Sequence, residues 1–201
     1  MSNYPAKMAV LASNFVVTDG DPNSTNPTSY VFLDAFSILK VERQGRGFHF
    51  DEVRQIDETG TASIAVLEAL TRHIDPDHSL AGYRLDRTMA ALIRIPHGDP
   101  HAATAKPSLQ RLQAALANDV QDASWYDHER HRSLEQLASD FDLPAEWYRP
   151  TRQVNPCMLE RELSAQAQSV WLSIAHKWLS PTDLRRALAD YDQWRTLSSI
   201  V

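Results

Sequence analysis

The stretch Ala9-Val10-Leu11-Ala12-Ser13-Asn14-Phe15-Val16 lies near the start of the chain and predicts the first strand of a sheet. The surrounding segment, Lys7 to Thr18, is apolar and rich in β-branched residues, which favour an extended backbone. Residues 19–27 follow as a dense set of Asp, Gly, Asn, Ser, Thr and Pro, a composition typical of turns. The chain therefore opens with a strand that runs into a long loop, and we expect the rest of the fold to be organised around that strand.

The next two segments predict a pair of strands joined by a hairpin. Ser29 to Glu42 is rich in aromatic and β-branched residues, and Gln44-Gly45-Arg46-Gly47 supplies the glycines that a tight turn needs. Phe48 to Ile56 then returns as a third strand, with Phe48 and Phe50 pointing inward.

After this hairpin the pattern alternates between helices and one short strand. Thr61 can cap a helix, Leu80 to Tyr83 suits a buried strand, and Asp86 begins another helical run. Further helices are expected from Pro107, over Ser133–Phe141, over Met158–Leu179 and from Ser180. This order predicts an α/β fold with a mixed sheet whose antiparallel strands come first. We expect one domain over residues 1–201, with residues 145–201 as its helical C-terminal part.

Composition narrows the class of protein. A chain of 201 residues is long enough to bury a core, and a formal net charge of −6 disfavours coating of nucleic acid through bulk charge. The single cysteine, Cys157, excludes an internal disulfide and a cysteine-rich zinc site. The N-terminal segment lacks the pattern of a signal peptide, and no apolar run is long enough for a membrane helix. We expect a cytoplasmic protein that does not bind membranes.

Four segments carry a resemblance to a known family, in the order Val10–Asp19, Ser79–Asp86, Ser133–Pro144 and Leu163–Ala167. The order of elements and these segments resemble the DnaQ-like 3′–5′ exonucleases, the DEDD group of the ribonuclease-H-like superfamily. The resemblance implies a ribonuclease-H-like sheet flanked by helices. It also implies an Asp-x-Glu motif on the first strand, an Asp at the second segment and an Asp on a late helix.

Three of the four acids implied by the resemblance are replaced in this chain. Ala12 and Asn14 stand for the Asp and Glu of the first motif, and Ser164 stands for the Asp of the late helix. Enzymes of this family hold two divalent ions about 4 Å apart, and Mg²⁺ or Mn²⁺ requires carboxylate oxygens. We therefore expect a catalytically inactive protein, a pseudo-nuclease, with no metal cofactor.

Two aspartates are candidates for surviving acids. Asp86 matches the acid of the second segment, but its place before a helical run favours an N-cap over a metal ligand. Asp34 would belong to the first motif if Phe32 to Phe36 were aligned there, but too few residues would then remain for the hairpin. We instead expect Asp34 to be hydrogen-bonded at a sheet edge or to point at a neighbouring loop.

Basic and aromatic residues supply the remaining site predictions. Arg84 and Arg87 flank the junction where an active relative would hold metal and phosphate, and a guanidinium there could bind phosphate without metal. The alternative is that Arg84 and Arg87 are solvated side chains at the start of a helix and bind no ligand. The pair His128 and His131 lacks further ligands at a zinc-site spacing, so no metal is predicted there. The seven-residue spacing of Trp171 and Trp178 indicates core or interface packing.

Three functions follow from these patterns. The first is a DnaQ-like, nucleic-acid-associated pseudo-nuclease that binds single-stranded DNA or RNA ends or serves as an interaction subunit. The second is an active exonuclease that uses Mg²⁺ or Mn²⁺ with Asp86, Asp34 and further acids such as Asp122 or Asp127. The third is a protein-interaction domain, favoured by the acidic net charge and by tryptophans near the end that look exposed. The protein partner and the oligomeric state, including a homodimer, stay open.

Overall fold

A computed structural model describes residues 4–18, 30–57, 63–94, 110, 114, 120–122, 134–141 and 156–198. The strands are β1 Lys7–Thr18, β2 Tyr30–Gln44, β3 Gly47–Ile56, β4 Ser79–Gly82 and β5 Val120–Asp122. The helices are α1 Ser63–His73, α2 Leu85–Arg94, α3 Leu134–Asp140, α4 Pro156–Trp178 and α5 Pro181–Ser198. The loop over residues 19–27, the cap at Thr61, the helix from Pro107, Asp127 and the pair His128 and His131 lie outside the described residues.

The described strands form one mixed sheet in the order β3-β2-β1-β4-β5. β1 pairs antiparallel with β2, and β2 pairs antiparallel with β3. β4 lies parallel to β1 and to β5. The prediction of an α/β fold whose antiparallel strands come first is therefore confirmed. Among the described residues, no helix combines the length and apolar character that crossing a membrane requires.

β1 lies in the middle of this sheet and is buried on both faces. Met8, Val10 and Ala12 belong to an apolar cluster with α4 and α5, whereas Ala9 and Leu11 belong to a second cluster with α1 and α2. A strand covered by helices on both sides needs apolar residues at successive positions, not only at alternate ones. This explains the continuous run of apolar residues that opens the chain.

A β-bulge at Asp34 interrupts the pairing of β1 with β2. Asn14 pairs with Ala35 and Phe15 pairs with Leu33, so Asp34 is the extra residue. The extra residue also changes which side chains share a face, since Leu33 and Phe36 both pack with α1 and α2 whereas Ala35 packs with α4 and α5. The bulge therefore lets both flanking segments of β2 bury their apolar residues.

An aromatic cluster joins the sheet to the C-terminal helices. Trp171 of α4 is fully buried, its Nε1 donates a hydrogen bond of 2.9 Å to the Tyr4 hydroxyl, and its ring meets Phe50 edge to face with centroids 4.8 Å apart. The predicted packing role of Trp171 is therefore confirmed. Trp178 and Trp194 are partly buried against the same core. The expectation of exposed tryptophans near the end is wrong, because the amphipathic faces of α4 and α5 cover the sheet.

Polar contacts from α5 hold the hairpin between β2 and β3. The Arg43 guanidinium lies 3.2 Å from the Asp183 carboxylate, and the backbone N–H of Phe48 donates a hydrogen bond of 2.8 Å to Asp190. β3 is an edge strand, and such strands need their outward backbone groups protected. The side chain of Asp190 satisfies one of these groups and ties the hairpin to the last helix.

A buried histidine lies where the chain enters β4. The His78 side chain is 3% exposed, and its Nε2 is 3.3 Å from a carboxylate oxygen of Glu42. Burial lowers the pKa of His78 below its ordinary value, and this effect outweighs the opposing influence of Asp75 and Glu42. His78 therefore takes up a proton more readily in the unfolded chain than in the folded protein.

The free energy of unfolding is expected to fall as the pH is lowered below about 6.5, the ordinary pKa of histidine, because the unfolded state then binds more protons. Chemical denaturation of a His78→Gln variant between pH 7.5 and pH 5 should show a smaller fall than the unmodified protein. His49→Gln, which changes an exposed histidine on β3, is the control and should keep the full fall. An identical fall in all three proteins would contradict the assignment to His78.

Candidate functional site

A cavity of about 350 Å³ lies beyond the carboxyl end of β4 and beside the middle of β1. We call it the strand-end cavity. The two strands are parallel; β4 ends at Gly82, opposite Leu11, whereas β1 continues to Thr18, so the cavity lies beyond the end of β4 and beside β1. Ligands in α/β sheets commonly bind in the crevice outside the carboxyl ends of parallel strands. The strand-end cavity is therefore the candidate ligand-binding site.

Apolar side chains from four elements form much of this cavity. They come from β1, α2, α3 and α4 and from the residue after β4: Leu11, Ala12, Phe15, Tyr83, Ala91, Leu134 and Val170. Such a lining with a few polar groups is typical of small-molecule and cofactor sites. The cavity can therefore receive a ligand that combines an apolar or planar body with a polar end.

Gly82 sets the close approach between β1 and the start of α2. A Cβ at this position would lie 3.0 Å from the backbone oxygen of Leu11 and 2.6 Å from Cδ2 of Leu85. The Leu11 oxygen cannot move without shifting β1, so a larger residue would push the strands apart. The glycine therefore keeps this side of the strand-end cavity compact.

Polar residues from β1, from the junction of β4 with α2, from α2 and from α4 also line the strand-end cavity. They are Ser13, Arg84, Arg87, Thr88 and Gln166. The set offers two guanidinium groups, two hydroxyls and one amide, and no carboxylate is among the described residues that line the cavity. This arrangement favours an anionic ligand.

Arg84 has an unusual backbone conformation for its residue type. Its φ is +53°, in the left-handed region, and its carbonyl accepts hydrogen bonds from the N–H groups of Arg87 at 3.0 Å and Thr88 at 3.2 Å. A side chain other than glycine in this region costs about 1 kcal/mol. Such outliers cluster at functional sites, where a side chain is held for a purpose. The backbone conformation of Arg84 therefore makes the junction of β4 with α2 a candidate part of the site.

The same hydrogen bonds overturn one sequence prediction. Because the Arg84 carbonyl accepts the first helical bonds, Arg84 occupies the N-cap of α2 and Asp86 is the second residue of the helix. The prediction of Asp86 as N-cap is therefore wrong. The left-handed turn at Arg84 starts the helix one residue earlier than the apolar pattern indicates. The side chain of Asp86 lies outside the described part of the chain.

The predicted acid positions of the first strand have separate environments. Ala12 is buried and lines the strand-end cavity. Asn14 instead donates a hydrogen bond of 3.1 Å from Nδ2 to the Asp34 carboxylate across the bulge. The predicted hydrogen bonding of Asp34 is confirmed, but its placement at a sheet edge is wrong because β2 lies between β3 and β1. Its backbone carbonyl also accepts a bond from the N–H of Asp57.

The predicted acid position of the late helix belongs to a different network. Ser164 is buried, and its hydroxyl accepts a hydrogen bond of 2.9 Å from Nε2 of Gln168. The Oε1 of Gln168 in turn accepts a bond of 2.6 Å from the Tyr191 hydroxyl. This chain of bonds joins α4 to α5, so Ser164 has a structural partner rather than a place among cavity-lining polar groups.

The described residues at the site do not fit a pair of divalent ions. Mg²⁺ and Mn²⁺ require several carboxylate oxygens, whereas the strand-end cavity is lined by a methyl group at Ala12 and two guanidinium groups. No cluster of three or more His, Cys, Asp or Glu side chains with metal-binding geometry occurs in the described ranges. We therefore derive no chemical step through a metal.

Sequence reasoning identified Arg84 and Arg87 but missed Tyr83, Thr88 and Gln166 as site residues. Gln166 Nε2 donates a long hydrogen bond of 3.4 Å to Glu162, one turn earlier on α4. Burial raises the pKa of the Glu162 carboxyl, and the bond from Gln166 partly offsets this rise. On an amphipathic helix such as α4, no pattern in the sequence distinguishes a polar residue at a cavity from one in water.

Comparison with known proteins gives no family assignment. No family model matches the chain, and no curated protein or solved structure matches it. The interpretation of the strand-end cavity therefore rests on its own residues.

An Asn14→Asp variant should lower the free energy of unfolding by about 1–3 kcal/mol at pH 7. It replaces the hydrogen-bond donor beside Asp34 with a second carboxylate, and two ionised carboxylates in contact repel each other. The loss should shrink towards pH 4, where a proton is shared between the two groups. Urea denaturation at both pH values measures this difference.

The matched control is the double variant Asn14→Asp/Asp34→Asn, which exchanges the carboxylate and the amide across the bulge. It should recover most of the stability because one donor again faces one carboxylate. A loss that is independent of pH, or that persists in the double variant, would show that the contact between Asn14 and Asp34 does not stabilise the bulge.

Proposed function

We propose that this chain is a DnaQ-like protein of ribonuclease-H-like fold that binds the ends of single-stranded nucleic acid and lacks metal-dependent exonuclease activity. The single observation that carries the proposal is the composition of the strand-end cavity. It lies where the resemblance puts the catalytic acids, yet its described lining contains Ala12, Arg84 and Arg87 and no carboxylate. The mixed sheet with β1 at its centre supports the same fold.

Guanidinium groups can replace metal ions as the partners of phosphate. Arginine binds phosphate oxygens through two parallel N–H bonds, and these charge-assisted bonds are about twice as strong as neutral ones. Arg84 and Arg87 both line the strand-end cavity. In the proposed mode they hold the nucleic-acid backbone, so the site binds phosphate but has no metal-activated water to cleave it.

Aromatic residues beside the arginines suit the bases of a single strand. The Arg84 guanidinium lies 5.5 Å from the centroid of the Tyr83 ring, and Phe15 lines the same cavity from β1. Proteins that bind single strands combine basic grooves with aromatic rings on which bases stack. A base could therefore contact Tyr83 or Phe15 while its phosphate contacts an arginine.

The net charge of −6 limits which groups can provide affinity for nucleic acid. An acidic protein does not attract nucleic acid through its overall field, so affinity must come from the local basic groups of the strand-end cavity. Few phosphates are then contacted, and the dependence of affinity on salt should be shallow compared with that of a protein that covers a long tract. This favours recognition of ends over coating of strands.

An Arg84→Asn variant should weaken binding of labelled single-stranded DNA or RNA by about tenfold, because a charge-assisted bond to phosphate is lost. Its melting temperature should change by only a few degrees, since asparagine tolerates the left-handed backbone better than arginine does, and this gain offsets the lost contact with the Tyr83 ring. Fluorescence anisotropy at low salt and thermal denaturation measure the two effects. A loss of affinity without a matching loss of stability is expected when a strained residue contributes to ligand binding and not to folding.

Arg46→Gln is the matched control. It removes one positive charge from the exposed hairpin tip, which lies beyond the pairing of Lys7 with Glu42, at the opposite end of β1 from the cavity. Its affinity should equal that of the unmodified protein. No binding at low salt by any of these proteins would favour the protein-interaction domain instead.

The same samples with Mn²⁺ test for catalysis. The oligonucleotides should keep their full length. Shortening that depends on Mn²⁺ and is abolished by Asp86→Ala or Asp34→Ala would overturn the pseudo-nuclease proposal and establish an active exonuclease.

A further inference from the structure

We infer that His78 makes the strand-end cavity sensitive to pH: protonation of its imidazole favours the release of β4 from the sheet, and the cavity then loses the wall that follows β4. This inference rests on the proposed function and adds a means of regulating the same site. Three features of the described structure support it: the surroundings of the imidazole, the short length of β4 and the direct connection of β4 to the cavity.

The first feature is the lack of partners for the buried imidazole. The His78 side chain is 3% exposed, and neither of its ring nitrogens has a hydrogen-bond partner in the described part of the chain. Nε2 lies 3.3 Å from a carboxylate oxygen of Glu42, but the two groups are not aligned for a hydrogen bond. An imidazolium has two N–H donors, and a buried donor without an acceptor destabilises the folded state. The folded protein therefore favours the neutral ring.

The charged side chains around His78 do not compensate for this burial. They come from β1, from β2 and from the turn between α1 and β4: Lys7, Lys40, Glu42, Asp75 and Asp77. Burial is the largest influence and lowers the pKa of His78. Asp75 and Glu42 raise this pKa, and the two lysines lower it. The imidazole therefore binds a proton more readily once it reaches water.

The turn that carries His78 is held by its own hydrogen bonds. The His78 N–H donates to the Asp75 carbonyl at 3.0 Å, and the Asp77 N–H donates to Oδ1 of Asp75 at 3.1 Å. The ion pair between Asp77 and Lys7 of β1, at 3.8 Å, is exposed, and exposed pairs contribute little stability. The burial of His78 is therefore a main attachment of this turn to the sheet.

The second feature is the short length of β4. This strand has four residues, whereas β1 has 12 and β2 has 15. Leu80 and Ala81 are its buried apolar side chains. Segments with few buried apolar contacts open locally at a lower free energy than the whole protein. β4 can therefore leave the sheet while the antiparallel strands β1, β2 and β3 stay folded.

The third feature is the connection of β4 to the cavity. β4 ends at Gly82, and the next two residues, Tyr83 and Arg84, line the cavity. β4 alone separates them from His78, and four residues of a parallel strand span about 13 Å. Release of β4 therefore displaces this wall. A ligand that needs the wall and a proton that favours its release oppose each other, because coupling between two sites is reciprocal.

Amide hydrogen exchange of the ligand-free protein tests the inference. Protection of the β4 amides should fall by up to about tenfold between pH 7.5 and pH 5.5, after correction for the intrinsic effect of pH on exchange. The released histidine, with an ordinary pKa of about 6.5, binds a proton over this interval, whereas the buried histidine resists it. At both pH values the best protected amides of β4 should exchange faster than those of β2, because β4 opens without the rest of the sheet.

Variants assign the effect to His78. His78→Gln and His78→Leu should each remove the fall in β4 protection, the first with a polar side chain that does not titrate and the second with an apolar one. His49→Gln, which changes an exposed histidine on β3, should keep it. A fall that persists in the His78 variants, or β4 amides as well protected as those of β2, would overturn the inference.

Exchange in the presence of a short single-stranded DNA tests the link to the cavity. At a free concentration of about ten times the Kd, protection of the β4 amides should rise about tenfold, because the open form does not bind. Unchanged protection of β4 with the oligonucleotide bound would show that release of β4 leaves the site intact, and would overturn the link. Absence of binding would remove the proposed function, while the exchange of the ligand-free protein would still decide the role of His78.

Discussion

The burial of β1 on both faces is the constraint on which the rest of the structure depends. Met8, Val10 and Ala12 face α4 and α5 while Ala9 and Leu11 face α1 and α2, so no helix layer can be removed without exposing this strand to water. The same strand pairs with β2 on one side and with β4 on the other. β4 is parallel to β1 and ends at Gly82, opposite Leu11, and the candidate site lies beyond this end, with Leu11 and Ala12 in its lining.

The three positions at which the resemblance implies acids belong to three different parts of this packing. Ala12 adds a methyl group to the core at the rim of the strand-end cavity, Asn14 donates to Asp34 at the bulge, and Ser164 accepts from Gln168 in the network that joins α4 to α5. Asn14 and Ser164 each have a hydrogen-bond partner. A carboxylate placed at Ser164 would lie at a buried position, where an ionised group without a paired charge is costly.

What remains at the strand-end cavity is a set of groups suited to binding. Two guanidinium groups, two hydroxyls and an amide meet apolar walls, and the strained backbone of Arg84 holds one guanidinium beside the Tyr83 ring. Strain of this kind persists only where the surrounding structure enforces it. Here the tight contact of Gly82 with Leu11 and Leu85 and the start of α2 at Arg84 leave the backbone little freedom.

The sequence by itself determined the α/β class, the antiparallel start of the sheet and the bounds of the long elements to within about two residues, because apolar periodicity and turn residues act locally. It also determined that Arg84 and Arg87 lie at the junction of β4 with α2. Only the tertiary structure decided that Asp34 forms a bulge against Asn14, that Arg84 rather than Asp86 caps α2, and that Gln166 lines the same cavity as the arginines. The bulge, the helix cap and the cavity lining depend on contacts between strands and helices that are distant in the chain. Such contacts do not produce a periodic pattern in the sequence.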